Sequence, residues 1–206
     1  MKYVRRVSFI FVVILLIFSV TNVTEIKVSA LDLNTSAKAM CVIEMNSGRV
    51  VAEKNMDTAL PMASTTKIVT ALTVIQNCKN LEETIQVADS SIGVEGSSIY
   101  LRKGELITVK DLLYGLMLRS GNDSAVALAC HVGQNVEGFA KMMNETAKLA
   151  GATNSNFVTP HGLDHKDHYT TAYDLAKISA YALKNPIFKE IVSTKKHVVP
   201  ATNVTV

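Results

Sequence analysis

The apolar positions of this chain change period several times, and each change predicts a different element. Lys2, Arg5 and Arg6 precede a nearly unbroken apolar run from Val7 to Val20, and a more polar stretch then ends in Val28-Ser29-Ala30. That is the plan of a secretory signal peptide, with cleavage expected after Ala30. The run falls short of the ~20 apolar residues that a membrane span requires. Residues 37–44 and 49–53 then read as short strands around Met45-Asn46-Ser47-Gly48, where Asn and Gly supply positive φ, so an antiparallel hairpin is expected. From Ser64 to Cys78 a helix is expected whose apolar residues (Ile68, Val69, Ala71, Leu72, Val74, Ile75) cover most of its circumference, so it should lie at the centre of the fold.

Residues 82–107 show no helical period and carry Gly93, Gly96 and Gly104, which predicts irregular chain with short strands. Thr108 is placed to cap an apolar helix through Leu118, and Ser120-Gly121-Asn122 connects it to a second apolar helix over 123–132. Further helices are expected over 135–149, closed by Gly151, over 171–183, ended by Asn185-Pro186, and over 187–192. The polar segment 152–169 reads as a loop and 197–206 as a strand-like tail.

Length and composition fit one globular domain or part of one: 206 residues, 48% apolar. One domain or part of one is expected over residues 31–206, the exported part, preceded by residues 1–30 as the leader. The charge of +3 resides in the leader: removing residues 1–30 takes four of 21 basic and one of 18 acidic side chains, leaving 17 of each. The neutral remainder gives no reason to expect nucleic acid as a partner. Cys41, Cys78 and Cys130 are an odd set in apolar surroundings and are read as small buried hydrophobes rather than a disulfide framework.

Lys67 is the one charged residue between Thr58 and Cys78, and a buried lysine is costly without a purpose. Ser64 stands three residues earlier, on the same face of a helix. Burial and the helix dipole both disfavour the ammonium, and a neutral amine beside a serine is a competent base. A capping serine with a snorkelling lysine is the plainer alternative. A second Ser-x-x-Lys, Ser193 to Lys196, lies in a charged segment and reads as an exposed turn. Ser120-Gly121-Asn122, at the tip of an apolar helical hairpin, places a hydroxyl and an amide where they could relay a proton and hold Lys67; an ordinary helix-capping turn is the alternative.

Taken together, Pro61-Met62-Ala63-Ser64-Thr65-Thr66-Lys67, then Leu116 to Ala125 around Ser120-Gly121-Asn122, then Pro160-His161-Gly162-Leu163-Asp164, resemble the low-molecular-mass penicillin-binding proteins, the serine-type D-alanyl-D-alanine carboxypeptidases. The resemblance covers nearly all of residues 37–199. It implies an α+β fold of the β-lactamase/transpeptidase type, with an N-terminal hairpin and a helical subdomain. It also implies Ser64 as acyl-ester nucleophile, Lys67 as general base, Ser120 as proton relay, Asn122 as a catalytic and substrate-binding amide, and His161 as a residue shaping the cleft.

Peptidoglycan stem peptides are the implied substrate and β-lactams the implied covalent inhibitors, without metal or organic cofactor, at the outer face of the cell membrane or in the cell wall. The family's third motif, Lys-Thr-Gly, is absent from this sequence. The resemblance places it on a sheet strand beyond Val206, so the hairpin is expected to lack its partner strands, and peripheral membrane attachment would come from a later segment. By itself the chain is expected to be inactive and poorly folded, lone hairpins being marginal. A class A β-lactamase is the enzyme alternative, but the loop 153–169 offers no glutamate to activate a deacylating water. A non-catalytic penicillin-binding fragment is the other alternative. The His161, His165, His168, Asp164 and Asp167 group fits no standard zinc spacing and is not read as a metal site.

Overall fold

The alternation around Met40 folds as a hairpin: β1 (Met40–Ile43) pairs antiparallel with β2 (Val50–Lys54), joining Met40 to Lys54 and Val42 to Ala52. The computed structural model describes residues 35–204, so the expected leader lies outside the described residues. In the turn, the Glu44 carboxylate accepts hydrogen bonds from the amides of Asn46 and Ser47. Gly48, at φ +71°, takes the left-handed conformation; Asn46 does not, contrary to the sequence expectation for that residue.

The central helix is α1 (Lys67–Asn77), in which Val69, Thr70, Ala71, Leu72, Thr73 and Val74 are all buried. Its start differs from the expected continuous helix beginning at Ser64. Residues Ala63–Thr66 form a 3-10 turn, entered through Ala63 at φ +47°, and α-helical geometry begins only at Lys67. A small sheet follows, β3 (Thr84–Gln86) against β4 (Leu106–Thr108), within the segment expected to be irregular with short strands.

Four of the next five helices have the starts that their capping residues predict. Thr108 Oγ1 accepts from the Asp111 amide at the head of α2 (Val109–Arg119). The tight connection ends at Asn122, where α3 (Asn122–Gly133) begins. Asn135 caps α4 (Val136–Leu149), Thr171 caps α5 (Ala172–Ala182), and Asn185, with Pro186 in the first turn, caps α6 (Pro186–Ser193).

All five of these helices pack against α1, and α5 also covers β1. Leu72, Leu112, Leu113, Leu116, Leu128, Phe139, Met143, Phe157, Ile178 and Ile191 fill the space between them and are at most 1% exposed. Each such side chain contributes about 1.5–3 kcal/mol relative to an exposed one, so the position of α1 is fixed from every side.

Two expectations need correction. The tail from His197 forms no strand in its described part. It lies against the β3–β4 corner through side chains, with Asn203 bonded to the Leu106 amide and the Gly104 carbonyl, and His197 bonded to Asp111 at 2.6 Å. Side-chain bonds to that corner take the place of strand pairing. The three cysteines are free but only half-buried, and Cys78, packed against the edge of the core, also donates its thiol toward the Glu83 carboxylate. Cys78 ends α1, where the chain turns into a polar loop that Gln76, Asn77, Lys79 and Asn80 on either side of it already indicate.

Candidate active site

The nucleophile candidate stands in the 3-10 turn that leads into the central helix, the base candidate opens that helix, and the two differ in exposure. Ser64 lies at the surface, while Lys67 is 2% exposed. The Lys67 amine reaches Ser64 Oγ at 3.3 Å, Asn122 Oδ1 at 2.6 Å and the His161 carbonyl at 2.9 Å. Burial lowers its pKa from the usual value to about 8. About one lysine in ten is then uncharged at pH 7, and an uncharged amine in this position can accept the Ser64 proton.

Asn122 opens α3 and is itself anchored at both ends. Its side-chain amide donates to the Glu95 carbonyl at 2.6 Å and its backbone amide to the Ser97 carbonyl at 2.7 Å, which leaves Oδ1 for Lys67. The loop supplying those carbonyls is held in turn by Asp123. Its carboxylate accepts from Ser98 Oγ at 2.6 Å, from the Ile99 and Leu101 amides at 3.1 Å, and from the Ser124 amide at 2.8 Å. Sequence reading treated Asp123 only as a possible cap. Its role in pinning a loop more than twenty residues away has no local signal.

The third wall is the segment 158–168. Thr70 Oγ1 donates to the Pro160 carbonyl at 2.7 Å, and Thr66 Oγ1 meets His168 Nε2 at 2.8 Å. His168 Nδ1 accepts from the Val158 and Thr159 amides, so the proton of the neutral ring sits on Nε2 and is donated to Thr66. Burial brings the pKa of both His161 and His168 down to about 4. The backbone approaches α1 closely at Gly162, φ +89°, where an added Cβ would stand 2.0 Å from the Ala63 carbonyl oxygen.

Of the residues singled out from sequence, Ser64, Lys67 and Asn122 are brought into one hydrogen-bonded group. His161 joins it through its backbone carbonyl, while its ring Nδ1 accepts from the Leu163 amide. Ser120 occupies the neighbouring left-handed turn at φ +55°, and among the described residues its hydroxyl makes no hydrogen bond to Lys67 or Ser64. The second Ser-x-x-Lys is spread over the surface: Ser193 bonds back to the Glu190 carbonyl, and Lys196 is exposed. A cavity of about 740 Å³ lies elsewhere, between α2 and the tail, lined by Tyr114, Leu118 and His197 among others. It touches none of the grouped residues.

A mixed α+β chain with a serine and a buried lysine one turn apart at the head of its central helix, faced by an asparagine from a helical hairpin, has the fold of penicillin-binding proteins and transpeptidases. Two solved structures carry this likeness. The D-alanyl-D-alanine carboxypeptidase DacD from Francisella tularensis is similar with a TM-score of 0.75 and 32% identity, over 79% of this chain and 40% of that one. Penicillin binding protein 5 from Haemophilus influenzae is similar with a TM-score of 0.75 and 31% identity, over 81% of this chain and 51% of that one.

The chain belongs to the peptidase S11 family, D-alanyl-D-alanine carboxypeptidase, whose pattern it matches over residues 24–205. Among curated relatives it is 36% identical over 157 residues to the D-alanyl-D-alanine carboxypeptidase DacF of Bacillus subtilis, covering 74% of this chain and 40% of that protein. To DacC of Escherichia coli it is 38% identical over 153 residues, covering 69% and 38%. The chain thus spans about two fifths of the length of these relatives.

Proposed function

We propose that this chain carries the nucleophile half of a serine D-alanyl-D-alanine carboxypeptidase that removes the terminal D-alanine from peptidoglycan stem peptides. The observation that carries this reading is the buried Lys67 amine held between Ser64 Oγ and Asn122 Oδ1. Neutral Lys67 takes the proton of Ser64, and Ser64 Oγ forms a bond to the carbonyl carbon between the two D-alanines. The carbon–nitrogen bond breaks, and the departing D-alanine takes the proton from Lys67 through Ser120. Water then cleaves the acyl ester and restores the serine. A β-lactam presents the same kind of carbonyl, and its ring nitrogen stays tethered after opening, so the acyl-enzyme persists. Asn122 holds Lys67 and binds the substrate carbonyl, while His161 shapes the cleft through its backbone.

The cationic start and apolar run of residues 1–20 support export, with residues 31–206 as the working part outside the cell membrane, where cell-wall synthesis and cell shape are controlled. Family membership supports the same place, and among the described residues no helix is long and apolar enough to cross a membrane. Release of D-alanine from a pentapeptide ending in D-Ala-D-Ala tests the reading, in a polypeptide joining this chain to a Lys-Thr-Gly strand. Stoichiometric release lost in Ser64→Ala supports it, and no release with the peptide bound refutes it in favour of a penicillin-binding fragment. The 206-residue chain alone, which has no Lys-Thr-Gly, is expected to be acylated far more slowly by benzylpenicillin, and a normal rate would count against that part.

A further inference from the structure

The two helices that supply the Lys67–Asn122 contact both begin at the candidate site, α1 at Lys67 and α3 at Asn122, and their far ends meet again. Eleven residues of α1 put the two meeting points about 16 Å apart. Cys78, the residue that ends α1, and His131, in the last turn of α3, converge on Glu83 in the segment entering β3. Cys78 Sγ lies 3.2 Å from Glu83 Oε1, and His131 Nε2 lies 2.9 Å from the same oxygen. The three donor atoms all fall within 4.8 Å of one another.

The loop that presents Glu83 is fixed by its backbone. The Glu83 amide donates to the Asn80 carbonyl at 3.2 Å, the Lys110 amide to Leu81 at 2.8 Å, and the Val109 amide to Glu83 at 3.1 Å. None of these three side chains takes part in the proposed acyl transfer.

We propose that Cys78, Glu83 and His131 form a binding site for a zinc-class divalent transition-metal ion, which clamps the far ends of α1 and α3. The donor set decides the class of ion. A thiolate and an imidazole select zinc-like ions over magnesium or calcium, and three protein ligands leave a fourth tetrahedral position for water. Thiolate and carboxylate together carry two negative charges, matching a divalent cation when the histidine is neutral. Tetrahedral coordination needs S···O and N···O separations of about 3.5 and 3.3 Å, so the two contacts to Glu83 open by a few tenths of an ångström, while Cys78 Sγ and His131 Nε2, within 4.8 Å of each other, close to about 3.5 Å by side-chain rotation. Binding replaces the thiol proton of Cys78, whose pKa burial raises, so that the metal stands where a hydrogen bond now closes the cluster.

Titration of the reduced, purified polypeptide that joins this chain to a Lys-Thr-Gly strand with Co²⁺ tests this without reference to enzymatic activity. The expected result is a near-ultraviolet thiolate-to-cobalt absorption that saturates at one ion per chain and is displaced by Zn²⁺ but not Mg²⁺. At a hundredfold excess of Zn²⁺ over its Kd, the Tm should rise by about 5–10 °C. Cys78→Ser should abolish the band, and His131→Gln, at an exposed position where folding is not at stake, should weaken binding by more than about tenfold. Cys41→Ser and Cys130→Ser should leave both readouts unchanged. Absence of the band, or a band that survives Cys78→Ser or keeps its affinity in His131→Gln, overturns the proposal and leaves a hydrogen-bonded cluster only.

Discussion

If burial of Lys67 is what arms Ser64, the rate of acylation must follow the ionisation of that amine. With its pKa lowered from 10.5 to about 8, roughly 300 times more of it is neutral at pH 7 than for an exposed lysine, equivalent to about 3 kcal/mol. Lys67 is buried, but the Ser64 hydroxyl beside it is exposed, so solvent screening reduces that figure. The assay is stopped-flow acylation by a fluorescent penicillin from pH 5.5 to 10, in a polypeptide joining this chain to a Lys-Thr-Gly strand. The second-order rate constant should climb tenfold per pH unit at low pH and level off near pH 8, reporting the free enzyme. Lys67→Arg, charged throughout this range, should lower the rate by about 10²–10⁴-fold and remove the limb. A profile that is flat between pH 6 and 9, or a limb near pH 8 that survives Lys67→Arg, refutes the assignment.

Three further outcomes follow from the walls of the site. Asp123→Ala strands the Ser98 hydroxyl and the Ile99 and Leu101 amides, and should cost about 3 kcal/mol in urea unfolding; a loss under about 0.5 kcal/mol contradicts its pinning role. Gly162→Ala puts a methyl group against the Ala63 carbonyl at a positive φ, so acylation should fall at least tenfold while Gly48→Ala, in open space, leaves it unchanged. His168 is held neutral, with its pKa at about 4 in the folded chain against about 6.5 unfolded. The unfolded state therefore binds the extra proton first, and stability is lost as pH falls from about 6.5 through 4. Between pH 7 and 5 the loss from this residue is about 2 kcal/mol, so His168→Gln should shrink the pH dependence of urea unfolding by that amount.

Much of the architecture is local and was therefore legible. Thr108, Asn135 and Thr171 announce their helices because a cap bonds to amides two or three residues away, whereas Asn185, read from sequence as the end of one helix, also caps the next. Ser64 and Lys67 are equally local, one turn apart. The all-round apolar surface of α1 told correctly that it would be central. The remainder depends on contacts between distant parts of the chain.

The Lys67 amine is held partly by the His161 carbonyl, and a backbone atom leaves no trace in residue identity. Ala63 adopts φ +47° although alanine has no preference for it, and its carbonyl lies against Gly162, a residue far away in the chain. The tail from His197 reads as a strand by alternation, yet its described part pairs with no strand and is held by side chains, Asn203 on the Leu106 amide and the His197–Asp111 pair. Cys78 reads as a small buried hydrophobe; it does pack against the core, but it is half-buried and its thiol meets Glu83, a contact set by the fold of the loop that follows.

The most direct test of the whole account is intact-protein and peptide mass spectrometry of the Lys-Thr-Gly-bearing polypeptide after exposure to benzylpenicillin. The account predicts a single penicilloyl adduct on the peptide containing Ser64, absent from a folded Ser64→Ala variant. An adduct of equal yield in Ser64→Ala, or one mapped to Ser120 or Ser193 in the unaltered chain, would contradict it.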